Sequence, residues 1–168
     1  MSVPSSFTEI QHAEEMEMGK AQLEQLEKYG SYVSVPKGIS MKPLIHQGKD
    51  MFEIVRLEKP PQRYDVVMYV YGQRKQGIIH RVYRVRDKQC IIFGDNCWRK
   101  EIVPMEHIAG KAVRVFRNGK WYDMQTSRGY RLYAWFWTNT LLIRRPILWA
   151  RDQGKRVVGK VKRIRKTN

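Results

Sequence analysis

Asp65-Val66-Val67-Met68-Tyr69-Val70 and Ile78-Ile79-His80-Arg81-Val82-Tyr83-Arg84-Val85, joined by Tyr71-Gly72-Gln73-Arg74-Lys75-Gln76-Gly77, decide the fold. Both runs are rich in β-branched and aromatic residues, and the joining segment is too short for the crossover helix that parallel strands need. The same texture recurs outward in Tyr32–Val35, Met51–Arg56, Cys90–Phe93, Ala112–Phe116 and Lys120–Tyr122. Pro60-Pro61 punctuates the approach to the first run, and Asn118-Gly119 is the pair that a two-residue hairpin turn requires. Seven short strands so closely connected predict a mainly β chain: a compact, twisted antiparallel domain over residues 31–127.

The flanks read as helices. Ser6-Phe7-Thr8-Glu9 has capping-box spacing, and a Glu-, Gln-, Met- and Leu-rich segment runs from there to Tyr29 and stops at Gly30. Met16, Leu23 and Leu26 share one arc of a helical period, so residues 1–30 are expected to form an N-terminal amphipathic helix. Residues 128–168 are expected to form a basic, aromatic helical tail. Within it, twelve uncharged residues separate Arg131 from Arg144, and Pro146 is expected to open a second short helix with Ile147, Leu148, Trp149, Val157, Val158 and Val161 as its apolar contacts.

The 168 residues, 42% of them hydrophobic, suit one domain with terminal additions. The formal charge of +16 is laid out unevenly. Residues 1–30 carry two Lys against six Glu, net −4; residues 31–127 carry 18 basic and nine acidic residues, net +9; residues 128–168 carry twelve Lys/Arg against one Asp, net +11. Such a tail fits a polyanionic surface, either nucleic acid or an anionic membrane. Nucleic acid is disfavoured because no helix-turn-helix precedes the β region. Trp, Tyr and Phe prefer the headgroup level, and each basic residue near anionic lipid adds about 1 kcal/mol, so peripheral contact with an anionic membrane through residues 130–168 is the expected partner. Packing of Trp135, Phe136 and Trp137 on the β domain is the rival reading.

Cys90 and Cys97 form no Cys-x-x-Cys, and no histidine pair has metal spacing, so a reducing compartment is expected and neither metal nor cofactor. No basic-then-apolar leader opens the chain, and no stretch reaches the roughly 18 to 20 apolar residues of a membrane span.

Chemistry centres on Val35-Pro36-Lys37-Gly38-Ile39-Ser40-Met41-Lys42-Pro43-Leu44-Ile45. Ser40 is a candidate nucleophile: Gly38 lets backbone pass close to a substrate and Pro43 stiffens the exit of the turn. A serine hydroxyl needs a base and an oxyanion donor. Of four histidines, His12 and His107 read as solvated and His46 as a loop residue. His80 stands on a strand face with Ile78 and Val82, and a neutral imidazole can take a hydroxyl proton at pH 7 without special desolvation. Asp95, in Gly94-Asp95-Asn96, and Glu101 are alternative acids to orient that ring. Asp95 also reads as a turn former and Glu101 as a surface charge.

Together, Ser40-Met41-Lys42-Pro43, Tyr64-Asp65-Val66-Val67-Met68-Tyr69 with His80-Arg81-Val82, and Gly94-Asp95-Asn96 resemble, in the same order, the three boxes of the signal peptidase I family, which shares a β-rich fold with the self-cleaving SOS repressors. The histidine, where bacterial members use lysine, is similar to the archaeal and endoplasmic-reticulum branch. The resemblance implies Ser40 as nucleophile, His80 as base, the Ser40 backbone N–H as an oxyanion donor, and Gly38 and Met41 beside the substrate. The aspartate that branch places after Gly-Asp-Asn is replaced here by Glu101, the family's membrane-anchoring helices are not seen, and no repressor-type Ala-Gly or Cys-Gly pair precedes Ser40. The expected function is a serine endopeptidase that removes leader or signal segments from peptides on the cytoplasmic side of a membrane. Its activity should fall below about pH 6 to 7 as the imidazole protonates. The alternative is an inactive peptide- or membrane-binding module of the same fold.

Overall fold

In β2 (Met51–Arg56), Phe52 and Ile54 are fully buried between partly exposed neighbours, the two-residue period of a strand with one face in a core. The computed structural model describes residues 19–71 and 74–167, the side chains of 71–76 and 156–167 excepted. Within that range the chain is mainly β. Besides β2 the strands are β1 (Ser31–Ser34), β3 (Val66–Tyr71), β4 (Arg74–Arg86), β5 (Gln89–Phe93), β6 (Glu101–Pro104), β7 (Ile108–Arg117) and β8 (Lys120–Asp123). All pairings are antiparallel, in the order β1-β2-β7-β3-β4-β5-β6, with β8 on β7. The Asn118-Gly119 hairpin forms as expected: both residues have positive φ, 50° and 77°, and Arg117 pairs with Lys120.

The middle of the sheet is buried on both faces. Val66 and Met68 pack with Phe52, Ile54, Ile79 and Leu26, whereas the alternate residues Val67 and Tyr69 pack with Val82, Ile92 and Val103. This explains why the central runs read as continuous apolar stretches. One strand, β6, was not expected. Four residues bounded by charge and ending in Pro104 give little periodic signal, and their pairing with β5 at the sheet edge is what orders them.

Helix α1 spans 19–29 among the described residues. Leu26 is buried, Leu23 packs against the core, and Gly30 (φ +72°) donates to the Leu26 carbonyl at 3.0 Å as the helix ends. The capping box at 6–9, His12 and Met16 lie outside the described residues.

Helices α2 (Arg128–Asn139) and α3 (Leu141–Thr167) follow. Ser127 caps α2 by accepting from the Tyr130 N–H at 3.2 Å. Only Thr140 separates the two helices, and its N–H still bonds Phe136 O while Arg144 N–H bonds Thr140 O. Pro146 therefore does not open the second helix but lies inside it, a turn beyond the start. The missing N–H leaves the Leu142 carbonyl without its usual donor on a side where Leu142 is exposed, which is where water or another solvent can replace it. Of this helix's expected apolar contacts, Ile147 and Trp149 are exposed and Leu148 is half-buried; Val157, Val158 and Val161 have undescribed side chains. Among the described residues no helix is long and apolar enough to cross a membrane.

Candidate active site

The loop after β1 leaves the sheet at Val35, runs through 35–37 without regular structure and turns at Gly38, whose φ of +104° suits glycine. Nothing lies near a would-be Cβ at Gly38, so conformation rather than close approach requires the glycine. Beyond Ser40, buried Met41, Leu44 and Ile45 pin the turn to the core. Asp50, almost fully buried, accepts from the His46 N–H at 2.8 Å and from Arg117 at 3.2 Å, and its carboxylate lies 3.2 Å from His46 Nδ1. Arg117 in turn donates to the Pro43 and Leu44 carbonyls. Burial alone raises the Asp50 pKa, but these donors outweigh it and hold the carboxyl below its usual range. His46 thus shapes the loop.

His80 lies on β4, only 4% exposed. Its Nδ1 is 3.0 Å from Tyr69 Oη, and that hydroxyl donates to Glu101 Oε2 at 2.8 Å. A phenol has one proton; given to Glu101, it leaves the oxygen to accept from Nδ1–H. The imidazole is thereby fixed as the Nδ1–H tautomer with its lone pair on Nε2. Glu101 Oε1 also lies 3.8 Å from Nδ1.

Nε2 faces Gly94. A Cβ there would fall 3.0 Å from Nε2, 2.8 Å from the Ser40 carbonyl oxygen and 2.8 Å from Cys97 Sγ, so the base and the backbone of the serine meet across a glycine that has no room for a side chain. Close approach, rather than turn-making, is what this position demands. The Ser40 carbonyl accepts from the Asn96 N–H at 2.7 Å, and Asn96 Nδ2 donates to Ile39 O at 3.0 Å. Asn96 is held from behind by Arg151 of α3 through both its side-chain and backbone oxygens.

Ser40 and His80 line one cleft of about 560 Å³. The strand segment 77–80 and the segment 35–38 bound it, with Met41, Trp98 and Glu101 also in its lining. Gly38 and Met41, expected beside a substrate, both border it. Cys97 is there too, but burial, then Glu101, pushes its thiol pKa up, which keeps it a poor nucleophile.

Asp95 serves elsewhere. Its two oxygens take Arg81 Nε and Nη2, each at 2.7 Å, with both side chains fully buried, and Tyr133 Oη donates to Oδ2 at 2.8 Å. Arg81 also donates to Tyr64 O and Tyr130 Oη, and its pKa rises despite desolvation because Asp95 stands beside it. The Asp95 carbonyl accepts from Trp137 Nε1 at 2.9 Å and Arg144 at 3.1 Å. Asp95 is thus the buried bolt between the sheet and α2, and of the two acids left open by the sequence it is Glu101 that stands behind the imidazole, through Tyr69.

Tyr69, Arg81, Asn96 and Arg151 escaped the sequence reading. Tyr69 sits two residues along β3 from Val67, the register partner of His80, a placement that only strand register reveals. No protein-family model matches the chain, and no curated protein matches it.

Proposed function

We propose that the chain is a serine endopeptidase of signal-peptidase type, acting on leader or signal segments of peptides from the cytoplasmic side of a membrane to which it binds peripherally. The observation that carries the reading is the tautomer-locked His80, with Nε2 turned to the Ser40 backbone and an acid behind Nδ1.

In this reaction Nε2 takes the Ser40 hydroxyl proton as the oxygen attacks the scissile carbonyl, and the developing oxyanion meets the Ser40 N–H. The imidazolium, favoured by Glu101, returns the proton to the departing amine. Water, deprotonated by the same Nε2, then releases the acyl group from Ser40. Among the described residues, 78–80 pair with β3 on one side, and β5 joins β4 from Arg81 onward. Their other edge and the unladdered segment 35–38 give an extended peptide two backbones to bond.

The test is cleavage of leader-type peptides, with a fluorophosphonate probe read by mass spectrometry. Labelling at Ser40, and at least about 10³-fold loss of turnover in both Ser40→Ala and His80→Ala with unchanged melting temperature, support the proposal. One observation favours an inactive peptide-binding module instead: the acid reaches the ring through a tyrosine. Peptide binding with neither cleavage nor labelling establishes that second reading.

A further inference from the structure

The tail is built inside out. In the first part of α3 three arginines turn toward the protein: Arg144 donates to the Asp95 and Trp137 carbonyls, Arg145 to Trp98 O at 3.0 Å, and Arg151 to Asn96. Leu141 is buried, but Leu142, Ile143 and Ile147 turn outward, 62%, 72% and 67% exposed. In α2 the aromatic side chains divide between the two sides. Tyr133 and Trp137 face Asp95, while Leu132, Trp135 and Phe136, at i, i+3 and i+4, are more than half exposed. Only Thr140 lies between the two helices, its N–H bonding Phe136 O and its carbonyl accepting from Arg144 N–H, so the two outer faces follow one another directly along the chain. Water does not select such an arrangement, and exposed apolar surface of this extent marks an interaction site.

We infer that this outer face of α2 and α3 seats the chain on an anionic lipid bilayer, Trp135, Phe136, Ile143 and Ile147 entering the headgroup–acyl boundary. The inference rests on the peripheral attachment proposed above and names the helix face that would make it. Two features select the bilayer. Exposed Trp135 and Trp149 with Phe136 are the aromatic residues that settle at that boundary. Directly beyond, residues 155–166 hold seven Lys/Arg and no acid in α3, which fits a sheet of negative headgroups. The same charge argues against a second copy on this face, because docking would bring two tails of net +11 together. The face adjoins the serine loop, as Lys42 and Pro43 share a groove of about 440 Å³ with Trp137, Ile147 and Leu148. Seating therefore brings the cleft's neighbourhood to the lipid surface.

The experiment is co-sedimentation of the full chain with vesicles of phosphatidylcholine alone or with phosphatidylglycerol, beside a Trp135→Ala/Phe136→Ala/Ile143→Ala/Ile147→Ala variant. All four side chains are exposed, and circular dichroism and melting check that the variant folds. The expected result is binding that needs phosphatidylglycerol, weakens with salt, and drops at least tenfold in the variant. Anionic-vesicle binding that survives in the variant overturns this face but leaves peripheral attachment standing. No binding to any vesicle overturns the attachment as well. A dimer in sedimentation velocity that the variant abolishes, without lipid binding, gives the face to a second copy and overturns the inference. None of these readouts depends on peptidase activity.

Discussion

Replacing Tyr69 by Phe removes one oxygen from between His80 and Glu101 and keeps the buried ring. In the native site that oxygen accepts from Nδ1–H at 3.0 Å and donates to Glu101 at 2.8 Å. Without it, a ring only 4% exposed loses the partner that selects its tautomer. An unpaired buried donor costs about 1 to 3 kcal/mol, and if the reacting imidazole bears that cost, kcat/KM falls about 5- to 150-fold. A quenched-fluorescence leader peptide assayed from pH 5 to 9 measures it. Glu101→Gln is the companion variant, since its amide oxygen still accepts from Tyr69 while the charge 3.8 Å from Nδ1 is gone. A neighbouring negative charge raises the pKa of an imidazole, so its loss moves the acid limb of the pH profile to lower pH. Wild-type kcat/KM in Tyr69→Phe, together with an unmoved acid limb in Glu101→Gln, would refute the relay.

Other perturbations separate structural from chemical roles. Gly94→Ala forces a methyl against Ser40 O, Cys97 Sγ and His80 Nε2, so we expect about 1 to 3 kcal/mol of lost stability in urea titration together with a turnover loss larger than that destabilisation accounts for. Asp95→Asn breaks a fully buried bidentate pair and leaves the Arg81 charge uncompensated; about 3 to 5 kcal/mol should be lost in denaturant unfolding, and the Arg81→Met/Asp95→Leu double variant should lose less than the sum of the single changes. Asp50 has a folded pKa below its unfolded one, so its contribution is present above about pH 4 and disappears as pH falls through the folded value. Asp50→Asn should accordingly flatten the acid side of the stability curve, read by melting temperature from pH 2 to 7.

Much of the sheet was legible because alternation and turn chemistry are local. Phe52 and Ile54 alternate within six residues, and Asn118-Gly119 needs no distant partner to set its turn. Ser40 and His80 stood out by residue type and setting, and both line the cleft. What stayed hidden depends on register and burial. Arg81 carries no sequence sign of burial, yet it is fully buried because Asp95 arrives from the next turn. The inward turn of the tail's arginines was hidden for the same reason. Arginines are ordinarily taken as the wet side of a helix, but Arg144, Arg145 and Arg151 have backbone oxygens to bind in the turn after β5, which sends the aliphatic side outward. Only Trp137 of the three aromatics at 135–137 turns to the domain.

The grip of Arg151 on Asn96, and of Asn96 on the Ser40 carbonyl, makes a chain of custody from the last helix to the nucleophile. A stop codon before Tyr130 would take Tyr130, Tyr133 and Trp137 from the Arg81–Asp95 pair and Arg151 from Asn96. It would uncover the buried pair and unclamp the serine turn, so forms trimmed there should lose stability together with whatever activity the serine turn carries. Engineers seeking a shortened version would have to rebuild that missing wall rather than delete it.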